Sequence, residues 1–357
     1  MPPKKSLESG GKKPCKRECP PGSICNETTG RCNKVKTTTR KQAVYHPFYK
    51  EDIDVDSEKN CGEDRLSIRW HAPNVQLVEK GLCDILPLKD INYVLGPKTY
   101  REYRYYHKNI CIFGESHVLK NSSHCENNHK TVTFSNFLTT LLLEKQDVFF
   151  DFFVEIPYVG KTNPLRSRVV SSNFSLYLIG EQFHDCLSYI KNCPFENLRA
   201  HYLDLRSVIY PEHMAIGQAA WAGKSNPIGD RDAILKIVLD LIHTDKTLQK
   251  ELNKSYLKTE ILDYTLEAIQ RAEDEIGIFA AVMDMYALSR IFRSFAPSAS
   301  KPSEVDNIII YTGNYHSYMY AHFIEAKLGI TPTIVSHSDS SCLDFKSFKR
   351  NSALFSS

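Results

Sequence analysis

Apolar residues in this chain fall into short β-rich runs separated by longer stretches with helical spacing. Asn109-Ile-Cys-Ile-Phe113 is a compact run closed by Gly114, and Val148–Ile156 is a longer one closed by Pro157. Runs of this length bounded by Gly or Pro predict buried strands. Between them, Ser135–Lys145 sets Phe137, Leu138, Leu141 and Leu142 at helical spacing, with Ser135 as the N-cap, so the local unit reads strand–helix–strand. The strand pattern returns at Ala200–Leu205, Ile308–Tyr311 and Thr331–Ser336. Gly229–His243 places Ile234, Ile237, Val238, Leu241 and Ile242 on one stripe, and Lys258–Phe295 keeps Leu262, Leu266, Ile269, Ile276, Ala280, Met283 and Ala287 in register as a long helical segment. This alternation predicts an α/β fold, a mainly parallel sheet with helices on both faces, over residues 108–340. Residues 341–357 read as a C-terminal tail. Residues 43–107, where only Asp64–Trp70 and Val75–Leu77 have strand character, read as an extension or a lid.

Composition adds an asymmetry. The formal charge is +3 over 357 residues, yet residues 1–41 hold eleven Lys or Arg against three acids, which leaves the rest of the chain acidic. Residues 1–14 lack the apolar content that would offset ordering entropy and read as a disordered basic tail. That tail suits contact with nucleic acid, an acidic partner or water alike. Four of the eleven cysteines crowd into residues 15–32, punctuated by Pro20, Pro21, Gly22 and Gly30, and residues 35–42 form a Thr-rich basic linker. No apolar run approaches the roughly 18 residues of a membrane span, and the N-terminus has no apolar core of the kind a signal peptide needs. The expectation is therefore a soluble, intracellular protein whose seven scattered cysteines are reduced. On that reading the acceptor triplets at Asn26, Asn121, Asn173 and Asn253 carry no information.

Functional groups in an open parallel sheet collect beyond the carboxyl ends of the strands, because the strand interiors are consumed by packing. There the sequence offers Gly114-Glu115-Ser116-His117, Glu155-Ile-Pro157, Asp204-Leu-Arg206 and Thr312-Gly313-Asn314-Tyr315-His316. One Gly-x-x-His is a chance event in a chain with 16 Gly and 13 His, but these two are the only instances and each directly follows a predicted buried strand. Two imidazoles and a carboxylate presented from separate strands are a ligand set for a divalent transition metal such as Mn, Co, Zn or Fe. His117, Glu155 and His316 are the candidate ligands, and each Gly is expected to permit a sharp turn at positive φ. Glu115 or Glu155 is placed to take a proton from water, Arg206 to hold negative charge, and Asp204 to orient a histidine. Other groups were weaker: His124, Cys125 and His129 lie in a polar loop, His184-Asp185-Cys186 lacks a third partner, and Asp284, Tyr286 and Arg290 read as a solvated helix face.

Paired Gly-x-x-His motifs, one ending the first strand and one near the C-terminus, with a Glu closing the second strand, resemble the TIKI/TraB proteins and their ChaN and erythromycin-esterase-like relatives. The resemblance covers residues 108–340. It implies a metal or catalytic centre at His117, Glu155 and His316, supported by Glu115 and Arg206. The superfamily includes metal-dependent proteases, an esterase and a haem-binding lipoprotein, so the implied activities are metal-dependent hydrolysis and, alternatively, haem or metal binding. Separately, Cys19-Pro-Pro-Gly-Ser-Ile-Cys-Asn-Glu-Thr-Thr-Gly-Arg-Cys32 is similar to the two-cysteine adaptor module of large cytoplasmic DNA viruses, over residues 15–34. That implies a viral protein of the host cytoplasm or the virion, docking a viral or host protein through this module and not a membrane. It keeps open a third reading, a non-catalytic virion or interaction protein. Cys15, Cys19, Cys25 and Cys32 are compatible with disulfides, with free thiols or with a four-thiolate zinc site.

Overall fold

The computed structural model describes residues 23–26, 31–34, 86–116, 130–157, 174–187, 193, 195–205, 231–296 and 301–355. The chain divides into two units, Met1–Tyr45 and His46–Ser357. In the first, β1 (Ser23–Asn26) and β2 (Arg31–Lys34) pair antiparallel with Cys25 opposite Cys32. The expected strands at Asp64–Trp70 and Val75–Leu77 lie outside the described residues.

In the second unit the elements run β3 (Tyr93–Leu95), β4 (Pro97–Tyr105), β5 (Lys108–Glu115), β6 (Thr131–Thr133), α1 (Phe134–Glu144), β7 (Phe150–Pro157), α2 (Phe174–Gln182), α3 (His184–Leu187) and β8 (Leu198–Asp204). They continue as α4 (Arg231–Thr244), α5 (Lys246–Lys254), α6 (Lys258–Arg271), α7 (Glu275–Ile291), β9 (Asn307–Gly313), α8 (Asn314–Leu328), β10 (Ile334–His337) and β11 (Cys342–Asp344). Six strands form one sheet in the order β10-β4-β5-β9-β7-β8. The β5–β9, β9–β7 and β7–β8 pairs are parallel, while β4 is antiparallel to both of its neighbours. A small second sheet has the order β11-β3-β6.

Period-two alternation along the strands separates two cores. Ile110, Ile112, Phe153, Ile308 and Ile310 face α4–α8, whereas Cys111, Phe113, Phe152, Val154, Ile309 and Tyr311 face α1, α2 and the C-terminal segment. The central strands are apolar on both faces because helices cover both, as a parallel sheet requires. Each fully buried Ile or Phe contributes roughly 1.5–3 kcal/mol of transfer free energy. The α/β class and the mostly parallel sheet are as the hydrophobic pattern indicated.

Four details differ from that pattern. The expected edges of the domain at 108 and 340 fall inside the packed unit: β4 pairs along the length of β5, and Phe345, Phe348 and Leu354 are buried in the core. Glu102, buried on β4, anchors this C-terminal segment by accepting from the Ser352 hydroxyl at 2.6 Å and the Ala353 amide at 2.8 Å. The segment Lys258–Phe295 is two helices rather than one, because the Asp274 carboxylate accepts from the Gly277 amide at 2.8 Å and starts a new helix. The cap of α1 is Thr133, whose hydroxyl accepts from Asn136 N, while Ser135 is buried inside the first turn.

Not all the scattered cysteines are reduced. Cys186 and Cys193 form a disulfide, which removes Cys186 from any Cys/His pair with His184, and Cys342 is disulfide-bonded as well. Among the described residues Cys111 is a free, buried thiol. Non-reducing peptide mapping is expected to recover Cys186 cross-linked to Cys193. Cys111 is expected to react with maleimide only after unfolding; its labelling in the native protein would contradict this packing.

Candidate functional site at the end of the central strand

β9 is inserted between β5 and β7, so the chain leaves the sheet on opposite sides of it. After β5 it proceeds to β7 and β8, and after β9 it crosses to β10 beyond β4. The connections on either side therefore diverge at the carboxyl end of β9, the place in such a sheet where functional groups collect. α8 begins there with Gly313 as its N-cap, which places His316 in its first turn.

His316, 5% exposed, lies between two carboxylates. Its Nδ1 is 2.7 Å from Asp284 Oδ1 on α7, and its Nε2 is 3.6 Å from Glu155 Oε1 at the end of β7. Glu155 is 6% exposed and Oε2 accepts from the Gly313 amide at 2.7 Å. That contact sets its negative charge at the start of α8, where the helix dipole favours it. Asp284, 2% exposed, sits in a helix whose residues 277–289 are all buried. Burial pushes its carboxyl above the usual range, against the pull of His316 and of the Tyr320 hydroxyl turned toward it; Glu155 adds to the rise.

With Nδ1 facing the Asp284 carboxylate, Nε2 faces Glu155 Oε1 at a separation longer than a good hydrogen bond. Two metal ligands, each ~2 Å from an ion, lie roughly 3 Å apart. The Nε2–Oε1 separation is close to that value, so this pair fits two corners of a metal site. Among the described residues no trio of His, Cys, Asp or Glu side chains is arranged to hold an ion. His117 and Arg206 lie outside the described residues, as do His124, Cys125 and His129.

Glu115 takes a different place from the one expected beside a ligand histidine. It shares its face of β5 with Cys111 and Phe113, which puts it across the sheet from Glu155, and the Tyr311 hydroxyl donates to its Oε2 at 2.7 Å. Burial, then Glu115, drives the Tyr311 phenol well up. Gly96, at φ 123°, lets the β3–β4 turn press against this pair, since a Cβ there would lie 2.6 Å from Ser175 Oγ and 2.8 Å from Tyr311 Oη. Asp204 is buried at the end of β8.

The expected positive φ at the two motif glycines is not found: the described positive-φ glycines are Gly96 and Gly329, and Gly313 has φ −58°. Gly114 is instead needed for room, because a Cβ would meet Thr99 Oγ1 at 2.4 Å, Asn314 Oδ1 at 2.5 Å and Ser317 Oγ at 2.7 Å. Its absent side chain lets the first turn of α8 seat against β5, with the Thr99 hydroxyl donating to Asn314 Oδ1 at 3.0 Å.

Asp284 is the site residue the sequence reading misplaced, since it is buried and not part of a solvated face. Its signal was a carboxylate inside a run that is apolar on every side, which is costly unless paired. Arg290 is likewise engaged inward: its Nη2 donates to His201 Nδ1 at 2.9 Å, and His201 Nε2 is 2.7 Å from Asp151 Oδ1. Arg199 also bonds Asp151, while Glu251 takes Arg290 and Arg293. Burial brings the His201 pKa down to about 4, against the pull of Asp151 and with help from the neighbouring arginines. This second imidazole is thus a neutral link in a mixed-charge network.

No family model, curated protein or solved structure matches this chain.

Two predictions follow from these contacts. Gly114→Ala is expected to destabilise by about 1–3 kcal/mol through overpacking, read from the denaturation midpoint; an unchanged midpoint would show that the α8 turn gives way freely. His201 has a folded pKa below its unfolded one, so its contribution is complete above pH 6.5 and is lost as pH falls toward about 4. Asp151, whose carboxyl is held low chiefly by its bonds to His201 and Arg199 against burial, works in the same direction. The melting temperature should fall across that window, and His201→Gln should flatten the fall.

Proposed function

We propose that this chain is a metal-dependent hydrolase, of protease or esterase type, acting at the carboxyl end of β9. The observation that carries this reading is the pairing of His316 Nε2 with Glu155 Oε1 at 3.6 Å while Nδ1 is held by Asp284. The two groups come from separate rigid elements, the first turn of α8 and the end of β7. They would hold a divalent ion together with a third ligand, for which His117 is the proposed residue. A bound divalent ion supplies Lewis acidity and a more acidic bound water.

The chain's own residues supply the rest. Asp284 orients the ring by accepting a hydrogen bond from Nδ1–H, which turns Nε2 toward Glu155. Glu155 sits at the start of α8 with Oε2 on the Gly313 amide and Oε1 toward His316, placed to ligate or to take a proton from water. Glu115, on the opposite face, is not assigned the base. Apolar packing of α7 and β7 keeps bulk water from these charges and strengthens their interactions.

The proposal extends to setting: a viral protein of the host cytoplasm or virion, with the two-cysteine segment docking a partner and the basic tail available to nucleic acid. No helix among the described residues is long and apolar enough to cross a membrane.

Metal analysis of the purified chain tests the reading. Wild type is expected to carry or take up one equivalent of Mn, Co, Zn or Fe, and the His117→Ala, His316→Ala double variant to lose it. Failure of wild type to bind any of these, including no visible-band change on Co(II) titration, would overturn the proposal.

A further inference from the structure

α7 and β7 are tied together at two levels, each through an imidazole. At the carboxyl end of the sheet the link runs Glu155 (β7), His316, Asp284 (α7). Lower down it runs Asp151 (β7), His201, Arg290 (α7). The six residues from Asp284 to Arg290 span ~9 Å of helix, and the four from Asp151 to Glu155 span ~13 Å of strand. The same two elements thus run alongside one another through both links.

The links differ in chemistry. Around Asp151 and Glu251 stand Arg199, Arg290 and Arg293, and Phe295 packs over all three guanidinium groups at 4.1–5.3 Å. In this link His201 accepts a hydrogen bond from Arg290 on Nδ1 and donates one to Asp151 from Nε2. Both ring nitrogens are spent, so it can only hold α7 in register. Asp284 is attended by His316 and Tyr320 rather than by a guanidinium, and with Glu155 it brackets one ring. A carboxylate on Nδ1 favours one tautomer and fixes the plane of the ring, which turns Nε2 toward Glu155.

We propose that α7 is the positioning element of the site: Asp284 fixes His316 in its Nδ1–H form with Nε2 presented beside Glu155, and the Arg290–His201–Asp151 link sets the height of α7 that brings Asp284 to the ring. This rests on the metal-dependent reading for its consequence but not for its geometry. Asp284 is a positioning residue, since it acts through His316 and faces no substrate.

The experiment reads two quantities from the full chain. Nitrogen-15 shifts of the histidine rings report the tautomer of His316, and Co(II) titration reports affinity. Wild type should show the Nδ1–H form, and both Asp284→Asn, which is nearly isosteric, and Asp284→Ala should shift His316 toward the Nε2–H form. Cobalt affinity should fall about 10- to 100-fold in these variants, with partial recovery in Asp284→Glu. Arg290→Lys, remote from the ion, should weaken cobalt binding by about 2- to 30-fold.

An unchanged tautomer in the folded Asp284→Asn and Asp284→Ala variants overturns the role of Asp284. Full affinity in Arg290→Lys overturns the role of the lower link. If wild type binds no cobalt, the metal reading falls while the tautomer pattern still decides for or against Asp284.

Discussion

A carboxylate in the middle of a helix that is buried on every side must be compensated from within the protein, and Asp284 sets that requirement for this end of the molecule. The group that meets it is His316, which can reach Asp284 only if α8 starts where β9 ends and packs over β5 and β9. That start depends on Gly114, because any side chain there would occupy the space taken by Asn314 and Ser317. One desolvated charge therefore constrains the first turn of α8, the end of β7 and the choice of glycine on β5. The proposed chemistry occupies the ring edge left over once Asp284 has taken Nδ1.

The contrast with His201 explains why only one of two buried imidazoles is a candidate for chemistry. Both are held between β7 and α7, and both touch a carboxylate. His201 is kept neutral by burial, with the neighbouring arginines adding to it, and each of its nitrogens already has a partner. His316 lies between the Asp284 and Glu155 carboxylates. Burial alone does not mark a functional histidine; the groups that face its ring do.

The sheet itself puts function at one edge. All four parallel strands end on that side, and β9 sits where the connections diverge, so polar groups there need not displace core packing. At the other end of α7 and β7 the same elements carry arginines, acids and Phe295, a network that ties the two together. Glu102 plays a comparable structural part by anchoring the C-terminal segment across the face opposite His316.

The sequence by itself determined the fold class, the main strands and the strand-end location of Glu155 and His316, because alternation and apolar runs report burial directly and strand ends follow from them. It also marked Glu115, but not the face on which Glu115 lies, since that depends on where the pleat falls relative to each core. Only the tertiary structure decided that Asp284 belongs with His316, that His201 is tied to Arg290, and that Cys186 is joined to Cys193. These partners sit on different elements or at separate points of the chain, and no periodicity encodes which of them will meet. The glycine of the first motif shows the same division: its position was legible in the chain, while its reason, room for a helix about two hundred residues later, was set by packing alone.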